Sequence, residues 1–120
     1  MRLLPLAFLA LATPAFAQQP AALPTVPITE WETPWPKDFI RDPVADDQGR
    51  VWFCGMNGNF IGLFEPNVGR FRRFELPAGT HPHNVIVDRQ GRAWLSGNRN
   101  GTINRIDPSS GLVTPYKLPE

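Results

Sequence analysis

The stretch DRQGRAWLSGNRNG, residues 88–101, decides the fold because the chain carries a closely similar stretch before it, DDQGRVWFCGMNGN at residues 46–59. A shift of 42 positions, from 46 to 88, aligns the two copies without a gap. Residue pairs related by this shift are Asp46 and Asp88, Gly49 and Gly91, Arg50 and Arg92, Trp52 and Trp94, Gly55 and Gly97, Ile61 and Ile103, Pro66 and Pro108, and Leu76 and Leu118. The chain therefore uses one structural unit twice.

Each copy of the unit predicts four short strands separated by turns. The first copy predicts strands at residues 43–46, 50–54, 59–65 and 70–76, and the second at 84–88, 92–96, 102–107 and 112–118. Asp88 to Gly91 is typical of a turn, because Asp can bond the backbone ahead of it and Gly adopts the left-handed conformation. Pro115 favours an edge position for the last strand, since proline donates no ladder hydrogen bond.

A period of about 42 residues with four strands per unit is typical of a β-propeller blade. A β-sandwich also has short strands and frequent turns, but it does not explain a gapless repeat. We predict an all-β partial propeller of two four-stranded antiparallel blades, residues 37–77 and 78–120, with a lone N-terminal clasp strand at residues 28–36. The apolar stretch NVIVD at residues 84–88 predicts that the first strand of each blade is the most buried.

Two blades cannot close a ring, because propellers have about 4 to 8 blades. We expect either a fragment of a longer propeller or a ring assembled from several chains. The outer blade faces should then be open and apolar, so we expect self-association.

The N-terminus predicts export. Residues 1–17 combine Arg2, an apolar stretch and a closing Ala15-Phe16-Ala17, which is the pattern of a secretory signal peptide. Residues 18–27 are polar and proline-rich and predict a linker. The expected location is periplasmic or secreted. The single cysteine, Cys54, cannot form an internal disulfide and is expected to be a small buried side chain, with an intermolecular disulfide or a reactive thiol as the alternative.

Composition excludes two classes of partner. Twelve basic residues face eleven acidic ones and no basic run occurs, so we expect no nucleic-acid partner. No apolar run approaches the roughly 20 residues that span a bilayer, so we expect no membrane span.

Strand alternation predicts where ligand-binding loops meet. The loop between the second and third strands lies at the same end of a blade as the connection into the first strand. The polar residues expected at this mouth are His83, Asn98, Arg99 and Asn100 in the second blade, and Arg41, Asn57 and Asn59 in the first. Such a mouth suits a polar or anionic small-molecule ligand. We predict no metal ligands among these residues. His81 and His83 could bind a metal if both side chains point the same way from an extended strand, but this is the weaker interpretation.

The blade pattern resembles the virginiamycin B lyase family, the streptogramin lyases. The shared features are D-x-x-G-R-x-W-[FL]-x-G, a third-strand Ile, a closing aromatic-x-L-P, and Pro82-His83-Asn84-Val85-Ile86 at a blade entry. The resemblance implies an exported lyase that opens the ester of a cyclic depsipeptide by elimination, assisted by Mg²⁺. It also implies that His83 matches the catalytic histidine.

The resemblance includes one departure. The position matching the family's catalytic Glu is Gly97 here, and Gly55 in the first blade. A non-catalytic propeller that binds a small molecule or a protein, or an inactive fragment, are therefore the alternatives.

We predict that the mature protein begins at Gln18, because Ala15 and Ala17 are the well-placed small residues after the apolar stretch. N-terminal sequencing of exported material checks this. A protein that retains Met1 after export would contradict the signal peptide.

Overall fold

The computed structural model describes residues 22–119, and within this range it contains eight β-strands and no helix. The strands are β1 (Ile40–Ala45), β2 (Val51–Gly55), β3 (Phe60–Glu65), β4 (Arg70–Glu75), β5 (Pro82–Val87), β6 (Ala93–Gly97), β7 (Thr102–Ile106) and β8 (Val113–Lys117). They form two antiparallel four-stranded sheets in the orders β1-β2-β3-β4 and β5-β6-β7-β8. The predicted blades are confirmed. Pro115 lies on the edge strand β8, as expected.

The first strand of each sheet begins earlier than predicted because it contains a β-bulge. The register shifts between Arg41 and Val44 in the β1–β2 pair and between Pro82 and Val85 in the β5–β6 pair. A bulge re-aims side chains while pairing continues on both sides of it. Both strands therefore extend past the irregularity toward the preceding loop.

Asp, Arg and Trp recur at the same spacing in both copies of the unit and form a hydrogen-bonded cluster, which we call the clamp. Asp46 Oδ1 accepts hydrogen bonds from the backbone N–H groups of Gln48 and Arg50, both at 3.0 Å. Its Oδ2 accepts from Arg50 Nε at 2.7 Å and from Trp52 Nε1 at 3.0 Å. One carboxylate thus satisfies four donors and orients the indole of Trp52 toward the blade face.

The second blade repeats this clamp at Asp88. Its carboxylate accepts hydrogen bonds from the backbone N–H groups of Gln90 and Arg92, from Arg92 Nε at 2.8 Å and from Trp94 Nε1 at 2.8 Å. The turn interpretation of both aspartates is confirmed. Four donors thus occupy the acceptor sites of each carboxylate.

The main core lies between the two blades. The first blade contributes Trp52, Cys54, Ile61, Leu63, Phe74 and Leu76, and the second contributes Val85, Ala93, Leu95 and Ile106. Trp52 stacks on Phe74 with ring centroids 5.6 Å apart. Burial of such side chains contributes about 1.5–3 kcal/mol each, so this interface holds the two blades together.

The expectation that the first strands are the most buried is wrong. β5 alternates, with Val85 buried and Asn84 and Ile86 exposed. The most buried strands are β2 and β3 of the first blade. The reason is that the second blade covers one face of β2 and β3 while Trp31 and Trp35 pack on the other, whereas nothing within residues 22–119 covers the outer face of the second blade.

The predicted clasp strand is also not formed, since residues 28–36 make no strand in the structure. A strand requires a partner for its backbone ladder, and these residues pair with neither sheet. Two of their side chains instead pack on the first blade: Trp31 on Phe64, with centroids 5.1 Å apart, and Trp35 on Phe60, at 4.8 Å. The segment therefore covers the outer face of the first blade, which was expected to be open.

The predicted signal peptide and residues 18–21 of the linker lie outside the described residues, as does Glu120. Residues 22–27 are exposed and form no secondary structure. Within residues 22–119, no helix could span a membrane.

Acid should weaken the fold through the two clamps. Burial raises the pKa of Asp88, but hydrogen bonds from Trp94 and Arg92 outweigh burial and lower the pKa to about 2. The pKa of Asp46 is also lowered, since bonds from Arg50 and Trp52 outweigh its burial. A depressed folded-state pKa stabilises the fold above the unfolded value of about 3.9, and this contribution is lost as pH falls toward 2. We expect the free energy of unfolding to drop between about pH 4 and pH 2.

The matched variants are Asp46→Asn and Asp88→Asn, measured by urea unfolding across pH. Asp46→Asn should cost about 1–3 kcal/mol at pH 7, since an amide cannot accept from all four donors. Both variants should lose part of the acid dependence. A wild-type pH profile retained in the double variant would contradict this role.

Candidate ligand-binding mouth

The two bulged strands place three polar side chains together at one end of the blades. β1 and β5 lie side by side, because they are the adjacent strands of the two packed sheets. Their bulges carry Arg41 and Asp42 on β1 and His83 on β5. Arg41 and His83 occupy equivalent positions in the two blades and lie at this same end, with Asp42 between them.

Asp42 links the other two groups. Its Oδ2 accepts a hydrogen bond from Arg41 Nε at 3.1 Å and lies 3.9 Å from His83 Nδ1. The Arg41 guanidinium also contacts Met56 Sδ, at 3.7 Å from Nη1. The side chain of His83 is 46% exposed and that of Asp42 is 41% exposed, so both can reach a ligand. The cluster places an imidazole, a carboxylate and a guanidinium together on an exposed part of the surface.

The backbone at Asp42 is unusual for a residue with a side chain. Its φ is +49°, in the left-handed region, where Asp is tolerated better than most residues because its short side chain bonds locally. Sequence analysis did not identify Asp42 as a site residue. The available signal was the dipeptide Asp42-Pro43 at the position where the second copy has Asn84-Val85.

Of the other predicted mouth residues, some are exposed to solvent and some are already hydrogen-bonded within the protein. Asn57, Asn98 and Arg99 are exposed on the loops between second and third strands. Asn100 donates to Thr80 Oγ1 at 3.0 Å, and its amide oxygen accepts from Thr102 Oγ1 at 2.7 Å. A ligand contact from Asn100 would therefore compete with two existing hydrogen bonds.

Asn59 is engaged in joining the blades. Its amide donates to the carbonyl oxygens of Leu76 and Pro77, at 3.1 and 3.0 Å, and its oxygen accepts from the backbone N–H of His81 at 2.8 Å. Asn59 and His81 both have positive φ, +55° and +48°. The two residues thus fix the path of the connection that positions His83.

The described residues do not form a metal centre. Within residues 22–119, no three His, Cys, Asp or Glu side chains come together in an arrangement that could hold an ion. The mouth supplies one carboxylate, Asp42, which already pairs with Arg41. Mg²⁺ is bound through carboxylates and substrate oxygens in a strict octahedral geometry, so these residues alone do not fit it.

Packing leaves no space for a side chain at the two glycines that occupy the position of the family's catalytic Glu. A Cβ at Gly97 would overlap Asn100 Oδ1 and Thr102 Oγ1. A Cβ at Gly55 would overlap the ring of Phe60. Neither site has room for a carboxylate side chain unless its neighbours move.

The opposite end of the blades holds a cleft of about 300 Å³ between the β1–β2 and β5–β6 turns. Its lining includes Asp46, Arg50 and Asp88, which the two clamps already engage. Asp47, Gln48 and Arg89 also line this cleft, so the polar side chains outside the clamps are the ones that a ligand could contact there.

Cys54 is buried in the core between the blades and is chemically protected. Burial, together with the nearby charge of Asp42, raises the pKa of the thiol to about 12. The thiolate is the reactive form of cysteine, so this thiol is inert at neutral pH. The expectation of a small buried side chain is confirmed.

Solved structures with the same fold include lyases. A catalytically inactive virginiamycin B lyase from Staphylococcus aureus, determined with quinupristin, is 33% identical and superposes with a TM-score of 0.68 over 76% of this chain. A streptogramin B lyase is 28% identical with a TM-score of 0.69, also over 76%. The extracellular domain of a one-component system from B. thetaiotaomicron, at 22% identity and a TM-score of 0.56, shows a shared fold alone.

No protein-family model and no curated protein sequence matches the chain. The chain spans 31% of the S. aureus lyase and 30% of the streptogramin B lyase.

The two packed, repeated four-stranded sheets and these structural matches define a partial β-propeller. The sequence resemblance is thereby confirmed: the chain is a partial propeller of the virginiamycin B lyase family.

The packing at Gly97 predicts that even one added carbon is unfavourable. We expect Gly97→Ala to lower the free energy of unfolding by about 1–3 kcal/mol, the usual cost of overpacking a filled site. Chemical denaturation checks this, with Asn98→Ala as the control because its side chain is exposed. Equal stability of the two variants would contradict the packing argument.

Proposed function

We propose that this chain forms the histidine-bearing wall of a streptogramin B lyase-type binding mouth, which takes a cyclic depsipeptide ester. The observation that carries the proposal is the cluster of Arg41, Asp42 and His83 at the paired bulges. Asn57, Asn98 and Arg99 lie on the loops at the same end and would contact the outer parts of the ligand.

The chemistry proposed for this mouth is an elimination. A base removes a proton from the carbon next to the one that carries the ester's alkyl oxygen, and a C=C bond forms between these two carbons. The alkyl C–O bond breaks, the ester leaves as a carboxylate, and the ring opens to a linear product of unchanged mass. His83 is suited to moving this proton, since an imidazole nitrogen can accept and then donate a proton and the ring is half exposed. Asp42 would stabilise the imidazolium that forms, and Arg41 would attract the carbonyl oxygen as it gains negative charge.

A second proposal, a non-catalytic binding propeller, is favoured by the closed sites at Gly97 and Gly55. Elimination needs an acid or a cation near the developing charge, and neither glycine position can supply a carboxylate. In our proposal the described residues bind the ligand and His83 is ready for proton transfer. The remaining acid, and the ligands for any Mg²⁺, would have to be supplied by residues outside 22–119.

We also propose that the protein acts outside the cytoplasm, in the periplasm or as a secreted protein. Residues 1–17 have the composition of a signal peptide.

We predict that the chain binds a streptogramin B and does not turn it over. Calorimetric titration should show binding that weakens roughly ten-fold in His83→Ala and in Asp42→Asn, a loss of about 1.4 kcal/mol. Asn67→Ala is the control, because Asn67 is exposed on the turn at the opposite end of the first blade. Equal affinities in all four proteins would contradict the assigned mouth.

Mass spectrometry on the same mixtures, with Mg²⁺ added, distinguishes the two functions. Binding without a linear product supports the binding role, because a missing catalytic partner removes much of the rate enhancement. Multiple-turnover formation of a linear product of unchanged mass, lost in His83→Ala, would show that these two blades suffice for elimination. A product heavier by one water would instead indicate hydrolysis.

A further inference from the structure

The second blade has an outer face that nothing covers within residues 22–119. Its members are Ile86, Trp94, Ile103, Arg105 and Tyr116, and Ile86 is 63% exposed. An apolar cleft of about 440 Å³ lies on this face, lined partly by Ile86, Trp94 and Ile103. A largely apolar face that no other sheet covers is a candidate interaction surface.

The 42-residue repeat shows what such a face packs against. The outer face of the second blade is equivalent, position by position, to Val44, Trp52, Ile61, Leu63 and Phe74, the first-blade face that packs on the second blade. The equivalence extends to geometry, since the Trp94–Tyr116 stack, 5.8 Å and 22°, matches the Trp52–Phe74 stack, 5.6 Å and 22°. The exposed face is therefore half of an interface already present inside the chain.

The outer face of the first blade is the other half. It is formed by Val51, Phe53, Phe64 and Phe71. The repeat relates these residues to Ala93, Leu95, Ile106 and Val113, which the second blade presents to the first. Each chain thus carries both complementary surfaces on opposite sides.

Residues 28–36 occupy this first-blade face. Trp31 packs on Phe64 and Trp35 packs on Phe60, Phe53 and Phe71. The segment is anchored next to Trp35 by an ion pair, with Arg73 Nη1 3.6 Å from Asp38 Oδ2. A blade arriving on this face would meet these tryptophans, so segment and blade compete for one surface.

We propose that two copies of this chain associate head to tail, with the outer face of one second blade on the outer face of the other copy's first blade, and that residues 28–36 gate this contact. Arg105 favours this arrangement over a symmetric one. Two second-blade faces placed together would oppose two Arg105 guanidinium groups, whereas Phe53, Phe64 and Phe71 of the first-blade face are uncharged. The contact is heterologous and adds copies in one direction.

The test is sedimentation of four proteins over a range of concentrations. Trp31→Ala/Trp35→Ala should open the first-blade face, so its weight-average mass should rise with concentration more steeply than that of the wild type. Adding Ile86→Lys should abolish the rise by charging the second-blade face. The single variant Ile86→Lys is the matched control and should remain a monomer.

Mixing gives the sharper result. Wild type has a free second-blade face and a covered first-blade face, and the triple variant Trp31→Ala/Trp35→Ala/Ile86→Lys has the reverse. We expect a discrete one-to-one complex when the two are mixed, since only one interface can form. The absence of a complex, or a mass rise that survives Ile86→Lys, overturns the proposal.

Folding of the variants is checked by circular dichroism. If the double variant is unfolded, Trp31→Ala alone replaces it, because its side chain is 48% exposed and its removal should leave the blades intact. The single variant should associate more strongly than wild type. Equal association of these two folded proteins would also overturn the proposal.

Discussion

A single carboxylate in each blade organises the rest of the structure. Asp46 and Asp88 close the turn between first and second strands, hold the arginine that follows, and fix the indole of Trp52 or Trp94 through its N–H. Trp52 is fully buried in the interface between the blades, where an indole N–H without an acceptor would be costly. Turn, strand pairing and blade packing are thus coupled through one side chain.

Much of this architecture could be predicted from the sequence because its determinants are local and occur twice. Asp, Gly, Arg and Trp lie within seven residues of one another, and the repeat confirms the pattern within one chain. The failures concern features that depend on a neighbouring surface. Ile86 looks like a core residue by composition, yet its exposure depends on whether another sheet covers it. Residues 28–36 have strand-like composition, but a ladder requires a partner with free backbone groups.

The candidate mouth was predictable in part for a similar reason. Strand alternation places His83 and Arg41 at the same end of adjacent blades. The role of Asp42 could not be derived from the sequence. Its carboxylate lies near His83 because Asp42 adopts a left-handed backbone conformation within the bulge of β1. Conversely, Asn59 and Asn100 were expected to face a ligand and are engaged in hydrogen bonds to the connection between blades. Amide side chains in propeller loops can serve either role, and composition alone does not separate them.

The protected state of Cys54 has a kinetic consequence. Thiol–disulfide exchange requires a thiolate that can approach a disulfide, and the folded chain offers neither, since the thiol is buried and its pKa is about 12. In an oxidising compartment, oxidation of this cysteine would therefore proceed through molecules whose blades have separated. The fraction of Cys54 that is oxidised would therefore depend on how often the interface between the blades opens.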